Sequence, residues 1–236
     1  YFSRINFVIN MQTPGFNCNP KIQKLVIKRI KKLSLETNIT LSINIYFGIQ
    51  INKIVDLYRK KELLRNIKYI RIGASNPIAN GVNNYSYNRF KDFGQLTMRL
   101  IYQFKKISPS THIILDCGFV PCMFSKKDRK YIESVLLKKE WGCSIGNIDI
   151  DTSLTCFTCY SLSMLKLFRL SLKKMSLDNV HKKLTIKQYI YQNKYIPNFC
   201  RDCPYYGLGK GRCSGPCLAL NINSKNVDKA INYHSK

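Results

Sequence analysis

Apolar residues in the first half of the chain recur with two alternating periods. Ile5, Phe7, Val8 and Ile9 form a short apolar run, so residues 4–11 are expected to be a buried strand. Residues 21–33 then switch to helical spacing, with Ile22, Leu25, Val26, Ile30 and Leu33 expected on one face. A strand over 40–46 and a helix over 50–65 follow, the helix packed by Ile51, Ile54, Val55 and Tyr58. Residues 68–73 read as a third strand, stopped by the Asn76-Pro77 breaker. Residues 89–107 read as a third helix through Phe90, Phe93, Leu96, Leu100, Ile101 and Phe104, and 111–116 as a fourth strand. This alternation predicts β-α-β units and a parallel sheet, hence an α/β fold. An open doubly wound sheet and part of a barrel satisfy it equally. Neither G-x-G-x-x-G nor a P-loop motif follows a strand, which leaves nucleotide sites of those kinds without support.

Beyond about residue 130 the pattern changes, and the chain divides into an expected domain over 1–135 and another over 136–236. Residues 163–172 (Met164, Leu165, Leu167, Phe168, Leu170) and 186–194 look helical. Asp149, Ile150 and Asp151 alternate like a strand, consistent with a hairpin that brings Cys143 and Cys159 together.

Composition narrows the choice of chemistry. The 39 Lys+Arg against 13 Asp+Glu give a formal charge of +26, which could serve a polyanionic partner. The basic residues are dispersed, however, and no nucleic-acid motif accompanies them, which reads as compositional bias in a chain also rich in Asn, Ile and Tyr. No run approaches the ~20 apolar residues of a membrane span. The opening residues lack the basic start and apolar run of a signal peptide. With ten cysteines in a chain large enough to build its own core, thiolates kept for metal in a reducing cytosol are expected rather than cystines. The expected location is therefore cytoplasmic. The chain opens on Tyr1 rather than Met, and the expectation is a fragment or processed product with a portion preceding it.

Six of the cysteines are spaced like ligands. Cys200 and Cys203 make a C-x-x-C pair, and Cys213 and Cys217 a C-x-x-x-C pair, with Gly207, Gly209, Gly211 and Gly215 in the turns around them. Tight turns converge paired sulfurs on one centre, and glycine lets backbone amides approach sulfur. No His stands close by, so ligation would be all-sulfur, and spacing alone leaves structural zinc and an iron–sulfur cluster equally open. Cys143 and Cys159 form a second, wider pair, with Cys156 a bystander between them. Cys117 and Cys122 sit at a strand end, where parallel sheets place chemistry, but read as core fillers, and Cys18 as incidental. His112, His181 and His234 lie apart, none beside a nucleophile, and are assigned no catalysis.

Two stretches carry a family resemblance. The first runs from Cys143-Ser-Ile-Gly146 through Asp149 and Asp151 to Cys159-Tyr-Ser-Leu-Ser163. The second is Cys200-Arg-Asp-Cys203 followed by Gly211-Arg-Cys213-Ser-Gly-Pro-Cys217. Together they resemble the C-terminal part of a radical S-adenosylmethionine (SAM) enzyme that carries a SPASM or twitch auxiliary-cluster domain. The strands over 7–10, 41–44 and 70–73 are similar to the later strands of that family's partial (β/α)6 barrel. The resemblance implies auxiliary [4Fe–4S] ligation by Cys143, Cys159, Cys200, Cys203, Cys213 and Cys217. It implies Asn44 and Gly73 as contacts to SAM, and a peptide as substrate, for which a basic surface suits an acidic leader. In such enzymes a reduced cluster cleaves SAM to a 5′-deoxyadenosyl radical that abstracts hydrogen from substrate. The CxxxCxxC that holds the cleaving cluster is absent, Leu220 standing where the third cysteine would follow Cys217. The resemblance therefore implies a missing half, in cis or in trans, that contains it. The gap from Cys203 to Cys213 exceeds the family's usual length and no cysteine follows Cys217, so one four-sulfur cluster, or a second with a non-cysteine ligand, is what these residues can build. The reading from another class is a zinc-stabilised basic module that binds nucleic acid without turnover.

Overall fold

In the computed structural model, the described residues are 7–10, 19–60, 67–74, 87–136, 141–207 and 213–224. The chain divides into two compact units, Tyr1–Ala74 with Phe90–Asp116 and Cys122–Lys139, and Ser75–Arg89 with Cys117–Pro121 and Glu140–Lys236.

The first unit is α/β. Strands β1 (Phe7–Asn10), β2 (Ile39–Ile45), β3 (Tyr69–Ala74) and β4 (His112–Leu115) form one parallel sheet in the order β1-β2-β3-β4. Helices α1 (Pro20–Glu36), α2 (Ile51–Lys60) and α3 (Phe90–Ile107) make the crossovers, and α4 (Lys126–Val135) follows β4. The order never reverses. Right-handed crossovers in a sheet that grows in one direction place successive helices on the same face. On that face lie Ile39, Leu41, Ile43, Ile45, Ile70, Ile72 and Ile113, all buried. They pack with Ile27 and Ile30 of α1, Val55 and Tyr58 of α2, and Phe93, Leu100, Ile101 and Phe104 of α3. Each such side chain contributes about 1.5–3 kcal/mol when fully buried. The Tyr58 and Phe104 rings meet edge to face at 5.1 Å.

The opposite face is polar, because side chains alternate along a strand. It carries Ser42 and Asn44 from β2, Arg71 and Gly73 from β3, and Asp116 just beyond β4. Asn44 is paired in register with Gly73, and Arg71 Nη2 lies 2.5 Å from Asp116 Oδ2.

The alternation expected from sequence is present, with shifted ends. The strand expected over 4–11 is described only over Phe7–Asn10, and of the helix expected over 50–65 Ile51–Lys60 is helical, Gln50 precedes it and 61–65 fall outside the described residues. The face expected of α1 is different. Ile27 and Ile30 are buried, while Ile22, Leu25 and Val26 are exposed. Ile22, Val26 and Leu33 share the neighbouring stripe, on which Ile22 and Val26 are exposed. The α4 helix was not expected. Its signal is a capping residue, Ser125, whose Oγ accepts from Asp128 N at 3.1 Å and donates to the Asp128 carboxylate at 2.7 Å.

In the second unit, β5 (Asp149–Ile150), β6 (Thr155–Phe157) and β7 (Arg169–Ser171) form an antiparallel sheet. Helices α5 (Leu177–Tyr195), α6 (Asn198–Arg201) and α7 (Leu218–Ser224) complete it. The β5–β6 hairpin falls where alternation predicted it. The helix expected over 163–172 does not form. Short 3-10 turns at Tyr160–Leu162 and Lys166–Phe168 bury Leu162, Leu165 and Phe168, and the chain then enters β7. The reason is tertiary: β6 takes a second hydrogen-bonded partner on its other side, and pairing Cys156 with Leu170 outweighs the local helical spacing. The last long helix starts earlier than the expected 186–194, at its cap Ser176.

Candidate metal centre

Three backbone segments of the second unit lie side by side. Gly118 N donates to Gly142 O at 2.9 Å, and Gly142 N donates to Phe119 O at 2.6 Å. On the other side Cys143 N donates to Gly215 O at 3.0 Å, and Ser214 N donates to Trp141 O at 3.1 Å. Ser214 Oγ closes the same seam, donating to Cys143 O at 2.7 Å. These bonds bring the chain at Cys117, Cys143 and Cys217 to one place, although the three are remote in sequence.

Backbone amides are aimed at the sulfurs. The Leu218 N–H donates to the Cys143 sulfur, as does the side chain of Gln188. The Cys159 sulfur accepts from the amides of Leu162 and Ser161, and the Cys217 sulfur from Leu220. A buried sulfur that accepts N–H donors is in the environment that a thiolate ligand needs. Cys143 and Cys217 are buried, and Cys159 is partly so.

The thiols also register one another. Burial pushes Cys217 well up, and Cys143, Cys159 and Cys117 push it further, because a second negative charge close by opposes ionisation. Cys159 is pushed up to about 12, first by burial and then by Cys143. Cys143 is raised chiefly by burial, against the opposing Leu218 and Gln188 hydrogen bonds. These groups are acids whose folded values lie above the unfolded value near 9, so the folded chain keeps protons that the unfolded chain loses. Their contribution is whole below about pH 9 and is lost as pH rises towards about 12. The melting temperature of the metal-free chain is therefore expected to fall across that window, and a thermal denaturation series in pH checks it. For the same reason, loading the centre at neutral pH releases protons, measurable in a weakly buffered titration.

The other predicted ligands stand in a second group. Cys203 N donates to Cys200 O at 3.2 Å, Tyr206 N to Cys203 O at 3.0 Å, and Gly207 N to Cys213 O at 3.1 Å. Gly215 N donates to the Cys213 sulfur at 3.3 Å. The Tyr206 hydroxyl is raised first by burial and then by its neighbour Cys200, with Cys213 also contributing. Spacing pairs Cys217 with Cys213. In the fold the Cys217 thiol also feels the charge of Cys143, Cys159 and Cys117. The pieces are two sets, Cys117 with Cys143, Cys159 and Cys217, and Cys200 with Cys203 and Cys213. Among the described residues, no group of three or more His, Cys, Asp or Glu is arranged to hold a single metal ion. The nine described cysteines are all thiols.

The remaining cysteines divide further. Cys156, expected to be a bystander, is packed against Val180 and Leu184 in an apolar cluster. Cys122, expected to fill core, is exposed, and Cys117 is half-buried in the first set of thiols. Cys117, noted in the sequence for its place at a strand end and expected to fill core, stands two residues beyond β4. Cys18 and His234 lie outside the described residues. His112 stacks on Tyr69 at 5.7 Å, and His181 Nε2 lies 2.6 Å from Gly146 O, both structural contacts.

In the first unit, Asn44 and Gly73 are brought together at the C-terminal ends of β2 and β3. The Asn44 side-chain oxygen occupies the space over Gly73 where a Cβ would stand. A ligand reaching the Gly73 backbone has to move that amide. Among the described residues no helix is long and apolar enough to cross a membrane. Compared with protein-family models and with characterised proteins, the chain matches none.

Proposed function

We propose that this chain is part of a radical SAM enzyme and holds an auxiliary [4Fe–4S] cluster on Cys143, Cys159 and Cys217, with Cys117 as the fourth thiolate. The observation that carries the reading is the seam joining Cys143 to Gly215, two residues before Cys217, with backbone amides aimed at both sulfurs. Cysteines that merely fill core need no such donors. A single zinc ion at about 2.3 Å from each sulfur draws four sulfurs to within about 4 Å of one another. A four-iron cube takes one thiolate per iron and spaces them wider. Thiols that feel one another's charge are near enough to share such a group. Cys200, Cys203 and Cys213 would hold a second group completed by a ligand other than cysteine.

Bound there, the cluster would supply an electron acceptor or a coordination point for substrate. The residues of this chain would hold it dry and donate hydrogen bonds to its sulfur ligands. The unreversed parallel sheet is read as the later strands of a partial (β/α)6 barrel. Its polar face offers Asn44 and Gly73 to SAM, and Arg71 and Asp116 line the same face. The SAM-cleaving motif would be supplied in cis or in trans. A peptide is the proposed substrate, and the +26 charge favours an acidic one.

Purification without oxygen tests the reading. Brown protein with about four irons and four sulfides per cluster is expected. Colourless protein carrying stoichiometric zinc, with salt-dependent binding to a random oligonucleotide, would replace it by the zinc-stabilised nucleic-acid module, the rival that the net charge favours.

A further inference from the structure

Helix α5 presents a polar stripe to the cysteine loops. His181, Thr185, Gln188 and Gln192 follow one another at helical spacing on one side. Gln188 is 1% exposed and Gln192 is fully buried. Burying an amide is unfavourable unless it is hydrogen-bonded, so its partners reveal what the fold keeps it for.

The partners of the two glutamines differ in kind. Gln188 Oε1 accepts from Gly146 N at 3.3 Å, and its Nε2 donates to Ser144 O at 2.9 Å. The same nitrogen lies 3.7 Å from the Cys143 sulfur, as a donor. All three contacts fall on the loop that begins at Cys143. Gln192, one turn further on, donates to Ser214 O at 2.9 Å and to Pro216 O at 2.8 Å. It holds the loop leading to Cys217 by carbonyls alone. One helix thus grips both cysteine loops, and one of its two buried amides reaches sulfur.

We infer that Gln188 is a positioning residue for the centre, and that its N–H on the Cys143 sulfur raises the reduction potential of the iron–sulfur group that this sulfur ligates. The inference rests on the cluster reading given above. Reduction adds negative charge, some of it on the thiolate sulfurs, and a donor held against sulfur in a dry site favours the more negative state. Among the described residues Gln192 donates to carbonyls and not to sulfur, and it acts on the fold only.

A redox titration of the anaerobically reconstituted chain, followed by electron paramagnetic resonance, tests this. Gln188→Met removes the donor at nearly constant length, and the midpoint potential is expected to fall. Gln192→Met is expected to lower the melting temperature and leave the potential where it was. An unmoved potential in Gln188→Met, or an equal fall in Gln192→Met, overturns the inference. Should Gln188→Met fail to hold a cluster, the wild-type chain labelled with 15N-glutamine decides by pulsed resonance. A 15N coupling to the reduced cluster supports the contact, and its absence overturns it. A wild-type chain that takes up no iron–sulfur chromophore sinks the cluster reading itself, whereas a chromophore with an unmoved potential sinks only the role of Gln188.

Discussion

Cys217→Ala is expected to behave like Cys143→Ala and unlike Cys203→Ala. In the anaerobically prepared chain, each of the first two removes about four irons and the associated visible absorbance. Cys203→Ala leaves those irons in place. Spacing alone groups Cys217 with Cys213, Cys203 and Cys200, and would have all of these variants lose the same metal. The fold argues otherwise. The Cys143 amide is bonded to Gly215 O at 3.0 Å, and the Leu218 amide, next after Cys217, reaches the Cys143 sulfur. The Cys217 thiol is raised first by burial and then by Cys143, Cys159 and Cys117. On the proposed cluster, losing one of four thiolates would strip an iron of its ligand in a buried site, so the expected effect on metal content is near total rather than graded. Iron and sulfide analysis of the three variants checks it. Iron lost equally in Cys203→Ala and Cys217→Ala, but retained in Cys143→Ala, would restore the grouping by spacing.

The parallel sheet was legible because its determinants are local. Strands such as Ile39–Ile45 and Tyr69–Ala74 combine β-branched residues with clear breaks, and amphipathic helices separate them. The face of α1 was not legible. Its apolar residues wrap far round the helix, and only the sheet decides that Ile27 and Ile30 are buried and Ile22 is not. The start of α5 was hidden for the opposite reason. Between residues 177 and 185 only Val180 and Leu184 are buried, too few apolar positions to show a helical period, and further along Gln188 and Gln192 stand inside because those amides serve the cysteine loops. The ligand candidates were legible as residue types and short spacings. Their grouping was not, since it follows from pairing of the segments at 117–119, 141–143 and 213–215, which no local pattern encodes.

Gly142→Ala is expected to destabilise the second unit by about 3 kcal/mol or more, and to abolish metal uptake at the Cys143 centre. Two independent terms add. Gly142 has φ +101°, a conformation that L residues adopt only under strain. A Cβ there would also stand 2.5 Å from Gly215 O, 2.6 Å from Ser214 Oγ and 2.9 Å from Ser214 N. Two of these atoms are backbone and cannot swing aside. They belong to the seam that sets Cys143 beside the Cys217 loop, so relief of the clash opens the centre. Gly48→Ala separates the terms. Gly48 has φ +92° with nothing within 4 Å of its Cβ position, so its substitution carries the conformational term of about 1–2 kcal/mol alone. Thermal denaturation should show the Gly142 variant melting lower by on the order of 10 °C, with a smaller drop for Gly48. Only the Gly142 variant should lose iron. Equal effects of the two substitutions would mean that backbone strain, and not the close approach of Gly142 to Gly215, governs the seam.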